Sequence, residues 1–200
     1  TKAGADNKTT TTIKDGVTLG NPENAVVDED RFDVTKTDSK ISNQDTNAGK
    51  PDGTLDHKGQ YLNIIKPNED DNYSLIFDGL PTVYKGSSDN FDYWDSRGTA
   101  IQSGGVVIEY VVNGNTITGY KGTGRADADK VFDIVLNKDS SISSGTTTKD
   151  SYTYTQYKNI DHPISGDSGI AINDDDLTFE FGFKITDQGQ TSNTVSFKVK

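Results

Sequence analysis

The sequence contains no cysteine and no methionine, which removes disulfides, thiolate chemistry and the softer metal sites together. Basic residues are also scarce. Lys and Arg number 20 against 31 Asp and Glu, leaving a net charge of -11, and no basic stripe is present to neutralise phosphates, so nucleic acid is not an expected partner. No run approaches the roughly 18 apolar residues of a membrane-spanning helix, and membrane insertion is not expected. No signal peptide opens the chain. The 200 residues are therefore expected to start inside a longer protein, or to belong to one exported without an N-terminal signal. A sustained helical period is missing as well.

What remains is acidic in a particular way. Of the 31 acids only five are Glu (positions 23, 29, 69, 109 and 180), so 31 − 5 = 26 are Asp. A merely solubilising surface could use either acid. Asp, with its short arm, suits turns and the oxygen cages that hard cations require, and Ca²⁺ takes about six to eight oxygens. The skew thus fits bound Ca²⁺, or simply abundant loops. A small extracellular domain without disulfides needs some other staple, and calcium would supply one.

Hydrophobic residues make up 30% of the chain and gather into short runs: 61–65, 73–77, 105–112, 115–120, 130–136, 151–157, 177–186 and 193–199. In the clearest run, Leu177, Phe179, Phe181, Phe183 and Ile185 alternate with Thr178, Glu180, Gly182, Lys184 and Thr186, the pattern of a strand with one core face and one wet face. Val195, Phe197 and Val199 repeat it after the turn Asp187-Gln188-Gly189-Gln190, which predicts a terminal hairpin. Asn113-Gly114 between two strand-like runs predicts a type I′ hairpin turn. The expected fold is all-β, an antiparallel β-sandwich with long calcium-binding loops. Residues 1–20, including Thr9-Thr10-Thr11-Thr12, read as a linker or a first strand, and 21–200 as a single ligand-binding domain.

Several segments from Ala100 onward carry a family likeness. Ile101-Gln102-Ser103-Gly104-Gly105, Ile108-Glu109-Tyr110, Asn115-Thr116-Ile117-Thr118-Gly119-Tyr120, the run 130–136, Tyr152-Thr153-Tyr154 and Asp161-His162-Pro163 occur in a characteristic order and spacing. The chain resembles the β-sandwich domains of giant repeats-in-toxin adhesins, which leave bacteria by type I secretion. Val27-Asp28-Glu29-Asp30 and Thr186-Asp187-Gln188-Gly189 match the opening and closing segments of such domains, so the likeness spans roughly residues 25–200. One departure is that Gln188 and Gln190 stand where the family often has acids, which places a calcium site at that turn in doubt.

The resemblance implies an extracellular module on the bacterial cell surface, monomeric within a multidomain chain and serving cell attachment or biofilm formation. It is similar in size to a calcium-dependent peptide-binding domain that grips the free C-terminus of a peptide or protein on a target cell, with bound Ca²⁺ helping to hold the carboxylate. Glycans are a second class of partner. The alternative is a spacer, or extender, that calcium only stiffens. An immunoglobulin-like sandwich needs about 100 residues, so the extra length favours insertions that bind something.

Candidate residues follow from side-chain chemistry. Asp174-Asp175-Asp176 repel one another unless a cation or solvent intervenes. Asp127 and Asp129, two apart in an extended segment, would point to one side and grip one ion, or lie on a wet face. Asp28, Glu29 and Asp30 stand at the domain entrance, where an ion would stiffen a tandem array. Asp161 either caps a turn or joins a cation site, and Asp187 closes the last long strand. The segment around Asp89, Asp92, Tyr93, Trp94, Asp95, Ser96 and Arg97 holds the only Trp, and rigid aromatics beside polar groups suit a ligand surface, although Phe91 and Trp94 could equally plug one end of the sandwich. Catalysis is not expected. His57 and His162 lack a nucleophile signature, no G-x-S-x-G occurs, and Gly119, Gly122 and Gly124 lack the lysine of a phosphate cradle.

Overall fold

A computed structural model describes residues 17, 19–25, 27, 55–66, 73–85, 95–96, 101–139, 146–147, 149–161, 177–187 and 189–199. Among these the chain is built from antiparallel strands: β1 (Leu55–Tyr61), β2 (Ile65–Lys66), β3 (Ser74–Phe77), β4 (Thr82–Lys85), β5 (Asp95–Ser96), β6 (Gln102–Ser103), β7 (Val106–Asn113), β8 (Thr116–Lys121), β9 (Lys130–Asn137), β10 (Thr146–Thr147), β11 (Ser151–Gln156), β12 (Leu177–Asp187), β13 (Gln190–Thr191) and β14 (Val195–Val199). One sheet runs β1-β11-β9-β8-β7-β6, the other is organised around β12, and β10 pairs separately with β2. The molecule is an antiparallel β-sandwich.

β12 is the spine of the second sheet. On one side it pairs with β14, Phe181 facing Phe197, and with β13, Thr186 facing Thr191. Its other side carries both β3, with Phe183 opposite Phe77, and β4, with Glu180 opposite Thr82. β3 and β4 are thus one interrupted strand, and residues 78–81 bulge out between them. The predicted terminal hairpin is present, with β13 inserted ahead of β14.

Aromatic rings fill the space between the sheets. Phe132 of β9 stacks on Tyr154 at 5.5 Å and meets Phe179 at 5.3 Å, while Tyr152 stacks on Phe197 at 3.8 Å. Alternation supplies these contacts directly: Phe179, Phe181, Phe183 and Ile185 are all buried, as are Ile134, Leu136, Tyr152 and Tyr154 across from them. Each ring so buried stabilises the fold by about 1.5–3 kcal/mol relative to exposure. Gly119 of β8 makes room, since a Cβ there would lie 2.5 Å from Phe132 Cε1. The wet face of β12 is not wholly wet, because Thr178 is also buried.

Three local expectations change. Asn113 pairs with Thr116, so the hairpin loop is Gly114-Asn115, one residue later than predicted. Only Gly114 has a positive φ, of 57°, which makes the turn type II′ and not type I′. Asn115 is held instead by β9: its Nδ2 donates to the Leu136 carbonyl at 2.9 Å, and its own carbonyl accepts the Leu136 N–H at 2.8 Å. The run 61–65 is not one strand: β1 stops at Tyr61, Asn63 turns to φ 54°, and Leu62 and Ile64 drop into the core. Asp127-Ala128-Asp129 forms a 3₁₀ turn in place of an extended segment. At the N-terminal side, Val17, Leu19 and Ala25 pack into the core.

Candidate functional site

Asp187, Asp161, Asp127 and Asp129 are the predicted metal-ligating residues whose surroundings the structure describes, and they differ sharply. In a 3₁₀ turn, residues two apart are about 240° apart around the axis, so Asp127 and Asp129 do not have the same-side placement expected of an extended segment. Asp127 is almost fully exposed and lies 3.6 Å from Lys130 Nζ. Lys130 also lies 3.5 Å from Asp133. Partial burial depresses its ammonium pKa, but the Asp133 and Asp127 carboxylates outweigh that and raise it overall.

Asp161 is a cap. Gly104 and Gly105 form the two-residue turn between β6 and β7, both with positive φ, at 56° and 75°, the arrangement of a type I′ turn that glycine adopts without strain. Their N–H groups donate to Asp161 Oδ1 at 2.8 Å and Oδ2 at 2.7 Å. Each carboxylate oxygen already holds a strong charge-assisted bond. Turn capping, one of the two roles open to Asp161, is realised.

Asp187 is the opposite case. It ends β12 facing inward, in line with Phe183 and Ile185, and is only 3% exposed, yet its Oδ1 has no hydrogen-bond donor among the described residues. A buried carboxylate oxygen without a partner is costly, and a bound cation is one group that would satisfy it. The oxygen is of the hard-ion type and stands on a rigid strand end beside a tight turn, where Gly189 has φ 80°, but it is a single carboxylate, and Ca²⁺ takes about six to eight oxygens.

The register fixes what lies near that end. Thr186 faces Ser74, so Tyr73 stands one step on, beside Asp187. The Tyr73 hydroxyl donates to Asp150 Oδ2, and the Asp139 N–H donates to Asp150 Oδ1 at 2.6 Å. Asp150 is fully buried. Lys138 donates to the Tyr73 carbonyl at 2.8 Å, with its ammonium 4.2 Å from the ring centre. This polar end of the sandwich, joining β3, β9 and β11, was not singled out from sequence. Asp150 sits between Lys149 and Ser151, with no acidic neighbour to mark it. Its only signal is that it continues the inward alternation of Tyr152, Tyr154 and Gln156 by one step.

A second network covers the outer face of β12. Lys184 Nζ lies 2.7 Å from Asp78 Oδ1, and Thr194 donates to Asp78 Oδ2. These bonds hold the Asp78 carboxyl below the usual carboxylate range, the Lys184 bond contributing most. Glu180 accepts from Tyr84 at 2.8 Å and from Ser196 at 2.6 Å. Burial, then the bond to Glu180, pushes the Tyr84 phenol up to about 12. Burial also raises the phenols of Tyr110 and Tyr152, which therefore stay protonated near neutrality.

Asp95 and Ser96 form β5, at the edge beside β4, with Ser96 opposite Tyr84. Asp28, Glu29, Asp30, Asp89, Asp92, Tyr93, Trp94, Arg97, Asp174, Asp175 and Asp176 lie outside the described residues. At about 3.3 Å per residue, the 11 residues of β12 separate Leu177, the residue after the Asp174–Asp176 run, from Asp187 by roughly 33 Å. Leu177 and Asp187 stand at opposite ends of the sandwich. Among the described residues, no three His, Asp or Glu side chains gather closely enough to hold a metal by themselves. Compared with known proteins, the chain matches no family model, no curated protein and no solved structure.

Proposed function

We propose that the chain is a calcium-dependent ligand-binding module of a bacterial surface adhesin, working outside the cell and taking the free C-terminal carboxylate of a peptide or protein on its target. The observation that carries the reading is the buried Asp187 carboxylate, whose Oδ1 has no donor among the described residues. Asp187 would hold the ion. When bound, Ca²⁺ supplies positive charge and open coordination positions for oxygen ligands. The sandwich supplies rigidity: β12 is paired along both sides, so a ligand at its end is held in place by the core rather than by a loose loop.

The β5 edge, with Asp95 and Ser96, lies across β4 from Thr178 of β12, nine residues and roughly 30 Å along the strand from Asp187. A carboxylate held by an ion at Asp187 would therefore not reach it, and the Asp89, Asp92, Tyr93, Trp94 and Arg97 segment is proposed as a separate surface for the body of a ligand, where aromatic anchors would contribute area at low entropic cost.

A spacer that calcium only stiffens is favoured by one fact. The N-terminal segment enters at the end of the sandwich that holds Asp187, because Ala25 bridges Val199 in parallel and the residues before it run back along β14. An ion there would sit at a junction. A screen of peptides with free and amidated C-termini, with and without EGTA, separates the two. Binding that requires both calcium and the free carboxylate is the expected result. No binding in any arm, with melting still strongly calcium-dependent, would leave the spacer.

A further inference from the structure

The segment 20–25 is tied to both sheets at once. Asn63 Nδ2 donates to the Asn21 carbonyl at 2.6 Å, the Glu23 N–H donates to the Tyr61 carbonyl at 2.9 Å, and the Tyr152 hydroxyl donates to the Glu23 carbonyl at 2.8 Å. These bonds reach the β1–β11 sheet. Toward the other sheet, the Ala25 N–H donates to the Lys198 carbonyl at 2.9 Å, and the Lys198 N–H donates to Asn24 Oδ1 at 2.8 Å. Gly20 is seated against Asn63, where a Cβ would lie 2.2 Å from the carbonyl oxygen, so no other residue fits. Val17, Leu19 and Ala25 are buried beneath.

The direction of this strap matters. Ala25 bridges Val199 in parallel, whereas β14 and β12 form an antiparallel pair. In an antiparallel hairpin the two free ends leave together, and tension opens the bonds one at a time. In a parallel pair the free ends leave in opposite directions, and tension slides one segment along the other and loads every bond together.

We infer that the strap 20–25 and β14 form a shear clamp, making the sandwich a force-bearing link when pulled by its N- and C-terminal sides. The clamp belongs to the fold and holds whichever ligand the module takes. It also assigns a purpose to Asn24, an exposed side chain spent on the backbone of Lys198.

The chain has no native cysteine, so single handles can be placed at will for force spectroscopy on the full 200 residues. With handles at Thr1→Cys and Lys200→Cys, the protein is expected to unfold in one step, with residues 20–25 released together with the core. Asn24→Ala should raise the unfolding rate at constant force about fivefold, the effect of one lost hydrogen bond. With handles at Leu80→Cys and Val107→Cys, two exposed positions that do not pull along the strap, the same substitution should change the rate by less than about twofold. Two results would overturn the clamp. One is an early, low-force release of contour, at least the roughly 30 Å of residues 17–25, ahead of the main event. The other is an equal effect of Asn24→Ala in both pulling geometries.

Discussion

Asp161 and Asp187 are both aspartates next to a turn, yet they occupy opposite situations. Asp161 directs one oxygen at each N–H of the Gly104-Gly105 turn. Asp187 is buried at the end of the core strand with an oxygen that has no donor among the described residues. The difference teaches that an Asp beside a glycine turn says little about its role. What separates the two is whether backbone donors have been aimed at the carboxylate.

The largest expected effect sharpens this contrast with a third aspartate. Asp150 is fully buried like Asp187 but is supplied with donors by Tyr73 and Asp139. Asp150→Ala strands both and should cost about 3 kcal/mol or more, lowering the urea midpoint equally with and without calcium. A calcium-dependent loss would show that Asp150 belongs to the ion site as well. Asp161→Ala is expected to cost about 2 kcal/mol through the two turn N–H groups, again with no calcium dependence. If calcium protected the wild type and not this variant, the contrast between the two turns would collapse.

The smallest effect concerns Asp78, whose carboxyl is held low first by Lys184 and then by Thr194. In the folded state it gives up its proton more readily than in the unfolded chain. Its contribution is therefore complete above the unfolded value, about 3.9, and is lost as pH falls through the lower folded value. Lys184→Met should flatten that acid limb of the urea midpoint. The group is largely exposed, so the change should be a fraction of what Asp150→Ala produces.

Much of the fold could be read in advance because alternation is a backbone property. The period-2 pattern at Leu177–Ile185 placed β12, and Val195, Phe197 and Val199 placed its partner. Turn details were less accessible. Asn113-Gly114 has the composition of a type I′ turn, but the bonds from Asn115 to Leu136, distant in sequence, shift the loop by one residue. The polar end of the sandwich was legible only in part. The burial of Asp187 follows from the alternation of its strand, although Gln188 and Gln190 spoke against an ion at its turn, whereas Asp150 and Tyr73 are isolated polar residues whose bonds exist only once β3, β9 and β11 meet. Spacing misled at Asp127 and Asp129, where the i, i+2 argument holds for a strand and fails for a 3₁₀ turn.

The measurement closest to the centre of the account is a calcium titration of wild type and Asp187→Asn, followed by calorimetry and by thermal melting. Asn preserves shape and removes the carboxylate. At calcium about 100-fold above its dissociation constant, the wild type should gain about 2.7 kcal/mol. Asp187→Asn should lose most of that gain while melting no lower than the wild type in EGTA. Undiminished calcium binding by Asp187→Asn would contradict the assignment, and so would a wild type whose melting calcium does not move.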